Sequence, residues 1–273
     1  MELLSYEFAQ RALIGALLIG VLAPLVGIFL VQRRLALLGD GVGHIAITGV
    51  GLALLMSWSP LPAALLVAVF GALFIEVLRD RSRVAADVAI AVVFYGGLAL
   101  GVLLVSLAPG GASTKLNTFL FGSLSTVSMS DLWVLGAMTF LIILGITFWG
   151  RQLFVAGLDS EVAMVQRIPV RVLGVVLSVM AAATVVVGMR VVGLLLVSGI
   201  MVLPVAAASQ FGRSFSSTLG WAVLVGVVCA VGGLLLSFQV DVPPGPSIIL
   251  GALVVFILAV SWRLVRHLQG ARA

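Results

Sequence analysis

Charged residues are scarce in this sequence. Aspartate, glutamate, lysine and arginine together make up 9% of the 273 residues, whereas soluble domains carry roughly 25%. The sequence therefore lacks the charge that a water-exposed surface needs, and 62% of its residues are hydrophobic. We predict an all-α, polytopic integral membrane protein. No linker or change in composition divides the chain, so we predict a single transmembrane domain over residues 1–273.

Several motifs that define enzymes are also absent. The only lysine is Lys115, and no segment fits the Gly-x4-Gly-Lys-Ser/Thr phosphate loop, so any ATP hydrolysis requires a separate chain. There is no His-Glu-x-x-His or Gly-x-Ser-x-Gly motif, which argues against a membrane enzyme. The single cysteine, Cys229, excludes an intrachain disulfide and a multi-cysteine metal site. We attribute the net charge of +5 to arginines retained on the cytoplasmic side rather than to nucleic-acid binding.

Nine apolar segments have the length and composition of membrane-spanning helices. They cover residues 10–31, 41–57, 61–78, 86–107, 131–149, 171–189, 192–211, 217–236 and 247–263. If the N-terminus is outside, twelve arginines lie on the cytoplasmic side and only Arg11, Lys115 and Arg190 lie outside. Because positive residues near span ends are held in the cytoplasm, we predict an external N-terminus and a cytoplasmic C-terminus. This bias favours nine helices over eight or ten.

Two connecting segments are long. The outer one, 108–130, contains an apolar run over 116–124 that is too short to span, and we predict a surface or re-entrant segment. In the inner one, 150–171, Asp159 and Glu161 can cap and charge the first turn of a short helix. Its apolar face would carry Val162 and Val165. Such a helix suits docking to another protein, and the alternative is a surface helix that rests on the bilayer.

Asp40 and His44 are the candidate site. They are four residues apart near the start of the second predicted span, so they share one face of a helix. Ionisable groups inside a bilayer cost roughly 2.5–3.5 kcal/mol each, so those that remain are functional candidates. An oxygen and an imidazole nitrogen suit zinc or manganese better than copper(I). Two ligands make an incomplete site, which a symmetric dimer would complete. The alternative is that Asp40 only caps the helix.

Other charges have simpler explanations. Glu76 precedes Arg79 by three residues, which predicts an ion pair within one helix. Arg190 is expected to reach the lipid headgroups, and Asp131 is expected to be solvated at the outer surface. Small residues recur at a spacing of four, which predicts closely packed helices. These pairs are Gly39 and Gly43, Gly97 and Gly101, and Ser247 and Gly251.

Five segments together resemble one family of membrane proteins. Residues 33–44 (RRLALLGDGVGH) are similar to the Arg-Arg-x-x-Leu-x-Gly-Asp-x-x-x-His signature of the membrane subunits of manganese, zinc and iron chelate ATP-binding-cassette importers. The other matching segments, in order, are 87–94 (DVAIAVVF), 117–124 (NTFLFGSL), 159–163 (DSEVA), and 191–197 with 203–207 (VVGLLLV and LPVAA). Ser160 and Arg167 depart from the pattern, which has proline and glycine there.

The resemblance implies a permease subunit in the bacterial plasma (inner) membrane that imports zinc or manganese, with iron less favoured, by alternating access. It implies that Asp40 and His44 lie on the metal path and that no cofactor is bound permanently. The implied partners are a cytoplasmic ATPase, an external solute-binding protein and a second permease subunit, in a homodimer. The ATPase would dock on the 150–171 segment, through Asp159, Glu161, Ala163 and Arg167.

Two other functions remain open at this point. An ATPase-independent secondary metal transporter would need no partner, but it predicts several acidic residues near mid-membrane and the spans contain few. A non-transporting membrane scaffold would use Asp40 and His44 only to start a helix.

Overall fold

The fold consists of helices. The computed structural model describes residues 6–81, 85–109, 112–122 and 127–270. In these ranges the helices are α1 (Glu7–Gln32), α2 (Leu38–Met56), α3 (Pro60–Arg81), α4 (Ala86–Leu107), α5 (Ala112–Phe121), α6 (Met129–Leu158), α7 (Ser160–Val165), α8 (Val170–Val191), α9 (Leu194–Ala208), α10 (Phe215–Val240) and α11 (Pro244–Gly270).

The predicted helical membrane architecture is confirmed. Each of the nine apolar segments coincides with one of these helices, and eight helices of the described ranges are long and apolar enough to cross a membrane. The ninth, α9, is apolar but has only 15 residues. At about 1.5 Å per residue it is ~23 Å long, shorter than a hydrocarbon core of about 30 Å.

The bundle has two ends. At the first, the rings of Phe29 and Phe215 lie 5.4 Å apart, and Arg263 donates a 3.1 Å hydrogen bond to Gln210. We call it the arginine-rich end, after Arg33, Arg79, Arg171 and Arg263. At the second, which we call the Asp131 end, Asp131 pairs with Arg190 at 3.0 Å.

Helix α9 joins the two ends in spite of its length. Gly193, just before α9, packs against Gly122 at the Asp131 end, whereas Gln210, just after it, bonds to Arg263 at the arginine-rich end. Within the described ranges the chain therefore passes between the ends nine times. Helix α1 begins at the Asp131 end, and α11 finishes at the arginine-rich end. This agrees with an odd number of passes.

Helix α5 packs against the bundle at the Asp131 end. It contacts α2, α4, α8 and α9, and it is followed by Gly122, which has a φ of +72°. Any side chain at Gly122 would run into the backbone of Val192 and Gly193. Glycine is required here both for the left-handed backbone and for the close approach of two chain segments.

The inner connecting segment is shorter than the sequence predicts. Helix α6 continues nine residues past the predicted end at 149, so residues 150–158 belong to it. In the sequence, the apolar run ends at the polar residues Arg151 and Gln152. In the structure both are exposed on the helix, and the next residue, Leu153, is buried. The extension is thus amphipathic: its polar residues face away from the bundle.

Small residues allow α2 and α4 to pack closely. A Cβ atom on Gly97 would lie 2.6 Å from the Cα of Ile45, and one on Gly101 would lie 2.9 Å from the Thr48 nitrogen. Thr48 also donates a 2.8 Å hydrogen bond to the Gly97 carbonyl. Close packing at this pair is confirmed. Gly251, in contrast, has open space around it within the described part of the chain. The prediction that a neighbouring helix of the same chain packs closely there is wrong.

Neighbouring glycines on α4 provide a test of this contact. We expect Gly97→Ala to lower the free energy of unfolding by about 1–3 kcal/mol, because the new methyl group overlaps the α2 backbone. Gly96 faces open space among the described residues, so Gly96→Ala should be neutral or stabilise the helix by up to about 1 kcal/mol. Thermal unfolding of both variants in detergent measures the difference. Equal midpoints would show that α2 and α4 are not in close contact.

Candidate functional site

Asp40 lies in the first turn of α2 and bonds to another helix. Helix α2 begins at Leu38, and its N-cap residue is Leu37, which makes no side-chain capping bond. The Asp40 carboxylate instead accepts a short hydrogen bond from the hydroxyl of Ser198 on α9. The interpretation of Asp40 as a helix cap is therefore wrong. Its carboxylate is held toward the interior of the bundle by a residue 158 positions away.

His44 is buried one turn further along α2, with 8% of its surface exposed. Its Nδ1 lies 2.8 Å from the backbone carbonyl oxygen of Asp40. Because a carbonyl oxygen only accepts hydrogen bonds, Nδ1 must carry the proton in this contact. The neutral ring then has its free lone pair on Nε2, the atom that can bind a cation. The ring centroid of Phe94 lies 4.1 Å away and limits the rotation of the imidazole.

Glycines beside Asp40 let other helices approach the pair. A Cβ on Gly39 would lie 3.2 Å from the Ser198 side chain, and one on Gly41 would lie 2.8 Å from Ile90 of α4. Because these positions have no side chain, α9 and α4 lie against the same turn of α2. The predicted close packing around Gly39 is confirmed, and it is what brings Ser198 within hydrogen-bonding distance of Asp40.

The pair supplies one oxygen ligand and one nitrogen ligand. Within the described residues no group of three or more His, Cys, Asp or Glu side chains could enclose a metal ion. One chain therefore offers fewer ligands than the four of a tetrahedral zinc site. An open, partly liganded position suits an ion that has to leave again better than it suits a permanently bound one.

Sequence reasoning missed two contributors to this site. Ser198 orients Asp40, and Phe94 packs on His44. Phe94 ends the 87–94 segment and Ser198 follows the 191–197 segment, so both lie at the edges of stretches that resemble family motifs. Their roles depend on contacts between distant parts of the chain, which no local pattern reveals.

The predicted short helix forms at the arginine-rich end. This helix, α7, has Asp159 as its N-cap residue, and the Asp159 carboxylate accepts hydrogen bonds from the backbone nitrogens of Glu161 at 2.8 Å and Val162 at 3.1 Å. The predicted cap is confirmed. Glu161 adds a negative charge to the first turn, where it complements the helix dipole.

One side of α7 is anchored and the other is open. Ala163 is fully buried, whereas Val162 is 48%, Met164 59% and Val165 85% exposed. An exposed apolar surface next to a buried anchor is typical of a helix that contacts another molecule.

Arg167 takes the position at which the family pattern has glycine. Its φ is +58°, in the left-handed region that favours glycine after a helix. The Arg167 nitrogen donates to the Met164 carbonyl at 2.9 Å and the Ile168 nitrogen donates to the Ala163 carbonyl at 3.0 Å. These two bonds form a Schellman motif. The backbone geometry thus explains the usual glycine, and the arginine places a charge beside the exposed face.

A polar cavity lies between α7 and the turn before α2. It has a volume of about 340 Å³, and its lining includes Arg33, Glu76, Arg79, Ser160 and Arg171. Glu76 pairs with Arg79 at 2.7 Å, which confirms the predicted ion pair. Burial lowers the pKa of the Arg33 guanidinium, an effect that the nearby Glu76 carboxylate opposes. The Nε and Nη2 atoms of Arg33 are buried without a hydrogen-bond partner in the described residues.

The expectation that Asp131 is solvated is wrong, and Arg190 has a partner within the chain. Asp131 is 9% exposed rather than solvated, and its carboxylate binds Arg190 at 3.0 Å. It also completes a capping box with Ser128 at the start of α6. The Arg190 guanidinium also lies 5.8 Å from the Phe119 ring centroid. This ion pair joins α6 to α8 at the Asp131 end.

These features define a class of protein. Eight candidate spans, an ionisable pair inside the bundle and a capped helix with an exposed apolar face at one end describe a multi-pass membrane permease. A family model matches residues 5–263. The chain belongs to the ABC 3 transport family. It is therefore the membrane permease subunit of an ATP-binding-cassette importer, and in such systems the ATPase is a separate component.

Relatives match nearly the whole chain. A manganese transport system membrane protein, MntC of Halalkalibacterium halodurans, is 33% identical over 278 residues, which cover 100% of this chain and 94% of the relative. The high-affinity zinc uptake system membrane protein ZnuB of Haemophilus influenzae is 26% identical and covers 93% of this chain and 97% of the relative. The structure of PsaBC from Streptococcus pneumoniae in complex with Fab has a TM-score of 0.85 at 28% identity, covering 94% of this chain and 92% of the other.

Proposed function

We propose that this permease carries manganese or zinc, as the divalent ion, into the bacterial cytoplasm and that the ion passes Asp40 and His44. The observation that carries the proposal is the His44 contact: Nδ1 donates to the Asp40 carbonyl, which leaves Nε2 for a cation beside a carboxylate. The cargo class is supported by relatives named for manganese and for zinc transport. Iron is less favoured.

The chemistry of the pair fits this cargo. Carboxylate oxygen and imidazole nitrogen bind borderline divalent ions, and neither is the soft sulfur ligand that copper(I) prefers. Ser198 and the Asp40 backbone hold the two ligands in place in the way that outer partners orient metal ligands elsewhere. A transport path must also bind its ion weakly enough to release it.

A second copy of the permease would complete the path. A two-fold axis near α2 would bring two aspartates and two histidines together, which makes four ligands. Asp40 is partly exposed in the single chain, so its carboxylate is not sealed off from a neighbouring subunit. The proposed assembly is a homodimer.

Transport would be driven from the arginine-rich end, which we expect to face the cytoplasm because positive residues near span ends are retained there. We expect the ATPase to contact Val162, Met164 and Val165 on α7, with Asp159, Glu161 and Arg167 at the edge of the contact. The cavity between Ser160 and Arg33 connects α7 to the turn that leads into α2. We expect movement of α7 to reach Asp40 through the residues that line this cavity. The solute-binding protein would deliver the ion at the Asp131 end.

Family membership favours the importer over both alternatives. A secondary transporter would not need an exposed docking helix. A scaffold would not need a buried histidine held by Asp40. Alternating access also requires that the ion be bound with different affinity in the two states, and a pair on a helix that can move provides a simple way to achieve this.

Reconstituted transport tests the proposed function. The permease, its ATPase and its binding protein would be placed in vesicles and supplied with radioactive manganese or zinc. We expect uptake of at least one metal with ATP and none with a non-hydrolysable analogue. Uptake driven by a proton gradient without ATP would instead indicate a secondary transporter, and ATP hydrolysis without uptake of either metal would contradict the assigned cargo.

A further inference from the structure

A second basic cavity lies at the arginine-rich end, away from α7. It is formed by the turn between α9 and α10 together with the last turns of α11, and its volume is about 340 Å³. The side chains that define it are Gln210, Phe211, Arg213, Trp262, Arg263 and Arg266. Among the described residues that line it, none is acidic. The cavity therefore collects three positive charges without a carboxylate in its lining to balance them.

The arginines are held in position by neutral groups. Arg263 donates a 3.1 Å hydrogen bond to Gln210, which joins α11 to the α9–α10 turn. The Arg266 guanidinium lies 4.6 Å from the centroid of the Trp262 ring. Arg213 immediately precedes Ser214, the N-cap residue of α10, where the helix dipole adds to the positive potential. The described lining contains no acidic side chain, so the three guanidinium groups are available to bind an anion.

The cavity lies at the boundary between apolar and charged surface. On α11 an exposed stripe with a spacing of four residues leads to it, through Leu250 (61% exposed), Val254 (54%) and Leu258 (63%), to Trp262 (47%) and then Arg266. The ring of Phe211 lies 5.8 Å from Trp262 and 6.3 Å from Trp221. Tryptophans at the end of an apolar stripe are typical of the depth of lipid headgroups.

We propose that this cavity binds the phosphate headgroup of an anionic phospholipid, with an acyl chain along the Leu250, Val254 and Leu258 stripe. Arginine guanidinium groups form charge-assisted, bidentate hydrogen bonds with phosphate oxygens. Basic pockets between membrane helices on the cytoplasmic side bind such headgroups. The apolar stripe favours a lipid over free phosphate, because phosphate has nothing to place there. Bound lipid would fasten α11 to the α9–α10 turn, and so to α9, which carries Ser198.

Lipid binding by the purified full-length chain tests the proposal. Native mass spectrometry in a neutral detergent would measure binding of phosphatidylglycerol against phosphatidylcholine. We expect saturable binding of phosphatidylglycerol, weakened at least about tenfold in the Arg213→Gln/Arg266→Gln double variant, since two charge-assisted contacts are lost. Both arginines are exposed. Arg213→Lys/Arg266→Lys keeps the charges but loses the bidentate hydrogen bonds, so it should bind more tightly than the glutamine variant and less tightly than the wild type.

The control is Arg151→Gln, which removes an exposed arginine of α6 at the same end but outside the cavity. It should bind phosphatidylglycerol as the wild type does. Equal loss in this control, or unchanged binding in the glutamine double variant, would overturn the proposal. Saturable binding of inorganic phosphate with no preference for phosphatidylglycerol over phosphatidylcholine would overturn it in favour of a free-phosphate site. Loss of ATPase co-purification with intact lipid binding in the glutamine double variant would overturn it in favour of a protein contact.

Discussion

Replacing His44 with alanine is expected to lower ATP-dependent metal uptake at least about a hundredfold. Removing a residue that only orients a metal ligand already lowers metal affinity or activity by about 10–100-fold. His44 would itself be a ligand, so the loss should be larger. The same loss is expected for Asp40→Asn, which keeps a hydrogen-bond acceptor for Ser198 but removes the negative charge. Uptake of radioactive manganese and zinc into vesicles that contain the whole transporter measures both variants.

Two matched substitutions serve as controls. His267, the other histidine of the sequence, lies in the last turns of α11, and His267→Ala should transport normally. Asp241, the exposed C-cap residue of α10, provides Asp241→Asn as the control for charge removal. If His44→Ala and Asp40→Asn carry metal at the wild-type rate while both assemble with the ATPase, the ion does not pass this pair.

The Ser198→Ala variant distinguishes the orientation of the Asp40 carboxylate from its role as a metal ligand. It leaves both ligands in the chain and removes only the hydroxyl that bonds to the Asp40 carboxylate. An intermediate loss, about 10-fold, is expected, because the carboxylate regains freedom to rotate. The apparent affinity for the ion should change more than the rate at saturating metal. This pattern would distinguish a positioning residue from a ligand.

The helices were largely predictable because their signal is local. Apolar length alone located all nine segments, and Asp159 could be recognised as a cap because its partners lie two and three residues away. The end of α6 was not predictable in the same way. Arg151 and Gln152 are typical of the start of a loop. The helix continues because Leu153, the next residue, packs against the bundle.

Side-chain partners across the bundle were not predictable. The sequence suggested Asp40 as a cap or a ligand, and the start of α2 at Leu38 together with the Ser198 contact excludes the cap. Likewise, Asp131 and Arg190 are 59 positions apart, and each seemed suited to solvent or headgroups by itself. A pattern shows that an ionisable residue lies in or near the membrane. Whether it has a partner depends on how distant helices pack.

The helix α7 illustrates how a small element can be both rigid and available. Its backbone is fixed at one end by the Asp159 cap and at the other by the two bonds that follow Val165. Ala163 is buried against the bundle, so the helix cannot turn over to hide its apolar side chains. Its exposed methionine and valines therefore remain available to a partner, next to the cavity that Arg33 lines.

Met164→Asp and Val165→Asp are expected to weaken co-purification of the ATPase at least about tenfold and to abolish ATP-dependent uptake. Met164 is 59% and Val165 85% exposed, so a carboxylate is solvated in the free permease but becomes an unpaired charge in an apolar contact. Met129→Asp is the matched control, because Met129 is 55% exposed and starts α6 at the Asp131 end. Co-purification with permease at the wild-type level of expression measures the effect. If Met164→Asp and Met129→Asp retain the ATPase equally, α7 lies on the bilayer and the ATPase docks elsewhere.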